Sequence, residues 1–130
     1  MSSDLADALD DVRDRVYDVD DAMAVARALA RLHLHVAVSA IRAALDEIGD
    51  HDHDPGVARV LCAEWSDALA SLASVMDGEP GRACGRASEA LALTRDAIAG
   101  ATDDEAYYWR AIGGGLDALR EETTYADRDA

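Results

Sequence analysis

Between Asp20 and Ile48 the polar residues fall on one narrow line. Arg27, Arg31, His35, Ser39, Arg42 and Asp46 recur at spacings of three and four, and nearly everything between them is apolar or alanine. That spacing is the period of an α-helix, and it leaves most of the helix circumference apolar. Leu32 to Val38 also alternates like a strand, but the alanine-rich helical rhythm extends past it on both sides and decides for helix. A helix of this kind is central in a bundle or lies in an oligomer interface. Its apolar circumference exceeds what a small bundle needs on one side.

The remaining chain agrees with that reading. Only Pro55 and Pro80 interrupt it, and alanine is the commonest residue, so backbone chemistry favours helix throughout. Asp4 to Tyr17 carries Leu5, Leu9, Val12 and Val16 on one stripe. This first helix either runs into the second or stops before a cap at Asp18 or Asp20. Gly49 ends the second helix, and a polar loop, Asp50 to Gly56, follows. Asp54 before Pro55 reads as an N-cap with proline in the first turn. A third helix spans Pro55 to Met76, with Val57, Leu61, Trp65, Ala68, Leu72 and Met76 inward. Asp77 to Gly81 reads as a break. A fourth helix spans Arg82 to Ala99, with Cys84, Ala87, Leu91 and Ile98 on one face, and Gly100 ends it. Thr102 and Glu105 fit a capping box. The fifth helix runs to about Glu121, with Trp109, Ile112, Leu116 and Leu119 inward, and Thr123 to Ala130 reads as a frayed, disordered tail. Short loops favour antiparallel neighbours. The expectation is an all-α, up-and-down bundle of four to five antiparallel helices in one domain, residues 1–122.

Charge sets the surroundings. The chain has 27 acids against 12 bases, a formal net charge of -15, and every base is arginine. In molar salt the Debye length shrinks to about 3 Å, so an acidic surface of this kind is tolerated. Arginine also puts less strongly hydrated charge on the surface than lysine, and pairs better with carboxylates. The composition resembles that of proteins from cells that keep molar salt in the cytoplasm. No apolar core of a leader peptide occurs in residues 1–20, and no apolar run reaches about 18 residues without a charge. The expected setting is therefore the cytoplasm, with no membrane partner. No basic patch or RNA-type aromatic motif stands out, so no nucleic-acid partner is expected. Cys62 and Cys84 form no CxxC pair and read as buried thiols.

Three features are candidate sites. In Asp50-His51-Asp52-His53-Asp54, His51 and His53 could ligate a transition metal; the plainer reading is a solvated acidic loop. A calcium loop is excluded, because Pro55 stands where the sharp turn needs glycine and Leu61 where a bidentate glutamate is needed. His33, on the apolar side of the second helix, reads as an interface or core histidine, or as a metal ligand or proton carrier with Glu64 as partner. His35 points about 200° away from it and cannot share its ligand. The third feature is Gly113-Gly114-Gly115 within a helix, following Tyr107, Tyr108 and Trp109. The glycines cost about 1 kcal/mol each against alanine. A glycine-floored, aromatic-walled cleft for a small molecule would explain them, as would a kink or a tight helix contact. The Arg27, Arg31, His35 and Arg42 line could hold an anion or an acidic surface, or pair internally with Asp7, Asp11 and Asp14.

Two resemblances are short. Arg27 to His33 is similar in spacing to the motif of HEPN-type nuclease domains, but that family carries it late in the fold. The bundle size is similar to that of histidine phosphotransfer domains, but Val38 and Ser39 follow His35 where that signature has Lys and Gly. No Glu-x-x-His, phosphate loop or Gly-x-Ser-x-Gly occurs. The leading expectation is a non-enzymatic helical bundle that works through protein contacts as a homodimer, with an unidentified protein partner possible. The alternative is a small-molecule or metal binder, possibly an enzyme; no cofactor is expected beyond a metal at these histidines.

Overall fold

The computed structural model describes residues 2–16, 22–101 and 103–129. These form five α-helices and no strand: α1 (Ser2–Val16), α2 (Ala22–Asp50), α3 (Pro55–Val75), α4 (Gly78–Gly100) and α5 (Glu105–Asp129). The fold is an all-α helical bundle. Whether α1 and α2 are continuous turns on residues 17–21, which lie outside the described residues.

α2 touches each of the other four helices, as its apolar circumference requires. Its two halves differ. Ala37, Ile41, Ala44 and Ile48 enter the main core with α3, α4 and α5, while Ala24 and Ala28 are buried further toward its N-terminus. α1 packs substantially on α2 alone. Of α1's described side chains only Ala8 is fully buried, and Leu9 of the expected inward stripe is 51% exposed.

α3 and α4 form the closest pair, and small residues are the reason. Ala58, Cys62, Ser66 and Leu69 on α3 are buried, as are Gly81, Cys84, Ala87 and Ser88 on α4. The expected α3 stripe is therefore displaced by about one residue: Leu61 and Met76 are buried, Trp65 and Leu72 half-buried, and Val57 and Ala68 exposed. Where backbones approach this closely, alanine, serine and cysteine occupy the contact and larger residues flank it. Two reciprocal bonds cross it, Ser66 Oγ to the Ser88 carbonyl at 2.8 Å and Ser88 Oγ to the Ser66 carbonyl at 2.7 Å. Among the described residues no buried side-chain polar atom is left without a partner.

That register separates the cysteines. With Ser66 level with Ser88, Cys84 lies level with about residue 70, some eight residues or roughly 12 Å along α3 from Cys62, beyond disulfide reach. Both thiols are free and buried, and burial pushes each up to about 11, with Glu122 adding to the effect at Cys84. Neither should react with a thiol reagent in the native protein at pH 8, and both should react once it is unfolded. Because their folded values lie above the unfolded ones, stability should be full below about pH 8.5 and fall as pH rises toward 11. A native thiol titration and alkaline melts check both statements.

Helix ends follow local chemistry with some departures. Asp54 caps α3 by accepting from Val57 N at 3.3 Å, with Pro55 in the first turn, as expected. α2 runs through Gly49 to Asp50. α4 starts at Gly78, four residues earlier than expected, because proline in a first turn forfeits only an N–H that lacks a helical partner. Gly78 itself has φ +73, which a side chain would resist. α5 is capped by Asp104, whose Oδ1 accepts from Tyr107 N at 3.0 Å, so its first turn begins after the expected box; Thr102 lies outside the described residues. α5 also continues past Glu121 to Asp129. Thr123, expected in a frayed tail, is buried and donates to the Arg120 carbonyl at 2.8 Å.

Candidate functional site

Among the described residues, a groove of about 760 Å³ opens between the N-terminal half of α2 and the start of α4. Ala26, Leu29, Ala30 and Leu34 give it a mainly apolar α2 wall, and Gly78 and Pro80 face them from the first turn of α4. It exists because α2 outruns the core: the buried α2 residues of the main cluster start at Ala37. N-terminal to that point α2 has α1 on one side and this open groove on another. Met23 is 67% exposed on the same half of α2, and Val75 at the end of α3 is 72% exposed. His33 lines this groove and is half-buried. Glu64, its suggested partner, is exposed and not bonded to it.

By length and composition α2 is also apolar enough to cross a membrane. Central helices of soluble bundles share that property.

The polar line of α2 is partly paired inward. Arg31 approaches Asp11 of α1 at 3.8 Å, and Arg42 also has a partner. Arg27 is exposed on the groove.

A second hollow, about 370 Å³, joins two segments far apart in sequence: His53 and Pro55 around the start of α3, and Asp103, Glu105, Tyr108 and Trp109 around the start of α5. Tyr108 is the joint. It is buried, its hydroxyl donates to the Asp52 carbonyl, and desolvation, then the nearby Asp52, raises its pKa. Tyr108 thereby takes the inward position expected for Trp109, which is 44% exposed and meets the Tyr108 ring edge-on at 5.4 Å. Tyr107 lies outside this hollow and carries Arg110 over its ring.

The glycine run is not the floor of this hollow. α5 passes through it unbroken. Gly113 and Gly114 have nothing within 4 Å of an added Cβ, whereas at Gly115 that atom would overlap Thr94 Oγ1 and lie 3.0 Å from Cγ2. Gly115 thus serves a tight α4–α5 contact. Gly114→Ala should raise stability by about 1 kcal/mol through helix propensity alone. Gly115→Ala should lower it by about 1 kcal/mol, because Thr94 is buried and must shift. Thermal melts of the two variants should move in opposite directions.

The three candidate metal histidines do not converge. His51 Nδ1 sits 3.0 Å from the Glu47 carbonyl at the end of α2, while His53 turns toward α5. His33 lies roughly 27 Å from His51 along α2. Among the described residues no group of three or more His, Cys, Asp or Glu could hold a metal ion.

One charge cluster remains. Arg86 on α4 binds Glu122 of α5 through Nε at 2.8 Å and Nη2 at 3.0 Å, and Glu79 through Nη2 at 2.6 Å. These bonds hold the Glu79 carboxyl below its ordinary pKa, so their contribution is complete above the usual glutamate range and lost as pH falls through it. The cluster ties α4 to α5. Both thiols and Tyr108 are shifted away from neutrality, opposite to an activated nucleophile or base.

Comparison with protein-family models, with curated proteins and with solved structures finds no match to this chain.

Proposed function

We propose that this chain is a non-enzymatic helical-bundle module that works through protein contacts and pairs with a second copy of itself, in a cytoplasm that holds molar salt. The α2 groove carries the reading. An apolar wall of Ala26, Leu29, Ala30 and Leu34 lies open along the N-terminal half of α2, where Met23 and Leu29 are exposed, and a second copy would cover it. Alanines line it at Ala26 and Ala30, which lets a second helix approach closely. Light scattering in molar potassium chloride tests the proposal: a mass of two chains at micromolar concentration is expected. A single-chain mass at high concentration sinks it.

A second reading is favoured by the hollow where His53 meets Tyr108 and Trp109. Aromatic faces beside carboxylates suit a small organic cation. Titration with tetramethylammonium, read by the fluorescence of Trp109 against a Trp65→Phe background, tests it; a saturable change lost in Asp103→Asn is expected, and its absence removes this reading.

A further inference from the structure

The two walls of the α2 groove differ in sign. Arg27 and Arg31 line it from α2, beside the apolar Ala30 and Leu34, and Asp77 and Glu79 line it from the start of α4. Two of these charges are engaged within the chain: Arg31 approaches Asp11, and Glu79 is held by Arg82 and Arg86. Arg27 and Asp77 have no ion-pair partner among the described residues.

A surface that closes on a copy of itself about a twofold axis must be self-complementary. A groove with a basic α2 side and an acidic α4 side meets that condition about an axis running along it, since that rotation lays each side on its opposite. We infer that a second copy occupies the groove about a twofold axis running along it past Ala30, seating Arg27 of each copy against Asp77 of the other. This assignment rests on the self-association proposed above. Charge selects this occupant. Two chains of net charge -15 repel over most of their surfaces, and the groove is a place where opposite signs can meet. An unrelated acidic helix would gain from Arg27 but face Asp77 and Glu79 with its own sign. A second copy brings both signs in the right order.

Charge reversal tests the pairing in the full chain, at the lowest potassium chloride concentration at which each variant keeps the wild-type helical circular dichroism. Arg27→Asp alone and Asp77→Arg alone should each weaken the dimer at least tenfold in sedimentation equilibrium. An equimolar mixture of the two single variants should restore a mixed dimer, because each interface then regains two opposite-charge pairs. The double variant in one chain should dimerise like the wild type. If either reversal impairs folding, Arg27→Gln and Asp77→Asn, which leave charges unpaired without opposing them, should weaken the dimer in the same order. Single variants that dimerise like the wild type, or a mixture that stays monomeric beside a dimeric wild type, overturn the pairing and leave self-association standing. A monomeric wild type overturns both.

Discussion

Gly81→Ala should lower stability by about 2 kcal/mol and the melting temperature by roughly 8 °C. An added Cβ at Gly81 would overlap the carbonyl oxygen of Met76 and stand 3.1 Å from its carbon and 3.3 Å from the Ala73 carbonyl oxygen. These atoms are backbone at the end of α3, and backbone cannot swing aside as a flexible side chain can. The first turn of α4 would have to lift off α3, and the neighbouring serine exchange and buried Cys84 would loosen with it. The cost is at the upper end of overpacking, about 3 kcal/mol, less the roughly 1 kcal/mol by which alanine is the better helix former. Gly114→Ala is the internal control, because it gains the same propensity with no clash. Differential scanning calorimetry on both variants decides the matter. A Gly81→Ala melt within 2–3 °C of the wild type would mean that the turn does not lie against α3 this closely.

Dilution of salt should do more. The folded chain exposes 7592 Å² with a net charge of -15, or one surplus charge at a spacing of roughly 20 Å. The Debye length is about 3 Å at 1 M and about 30 Å at 0.01 M, so the charges are largely screened from one another in the first case and act together in the second. Spread over a sphere of roughly 18 Å radius, they oppose compaction by on the order of 10 kcal/mol at 0.01 M and about a quarter of that at 1 M. Net stabilities are about 5–15 kcal/mol, so the difference is large enough to unfold the chain. The melting temperature should fall steeply from molar to millimolar potassium chloride, and Cys62 and Cys84 should become reactive at room temperature at the low end. Equal melting temperatures across that range would end the molar-salt reading of the composition.

The helices were legible because leucine, valine and isoleucine recur at helical spacing and glycine, proline and aspartate mark the turns. Faces were less so. On α3 the large residues Val57, Trp65 and Leu72 drew the expected stripe, whereas contact with α4 is made by Ala58, Cys62 and Ser66. Size misleads where backbones approach closely, and the run of small residues at the same period was the available signal. Tyr108 and Trp109 are adjacent aromatics, and only the Asp52 carbonyl, 56 positions away, decides which turns inward. Pro80 and Gly81 looked like interruption because each breaks a helix interior, yet in a first turn they are what allow α4 to start early and lie close. Of the groove, the α2 side could be read from its apolar circumference and from His33. The opposite wall could not, since it depends on the α3–α4 turn folding back beside α2.

The position of the groove also sets how the molecule comes apart. Main-core residues from Ala37 onward are locked among four helices, while α1 and the start of α2 share few fully buried side chains, Ala8, Ala24 and Ala28 among them. Amide hydrogens in this arm should open at lower free energy than those of α3 and α4. For a chain that pairs through the arm, partner binding and local folding are then linked equilibria. Protein concentration should slow amide exchange in α1 and the first turns of α2 by mass action and leave local openings of α3 and α4 unchanged.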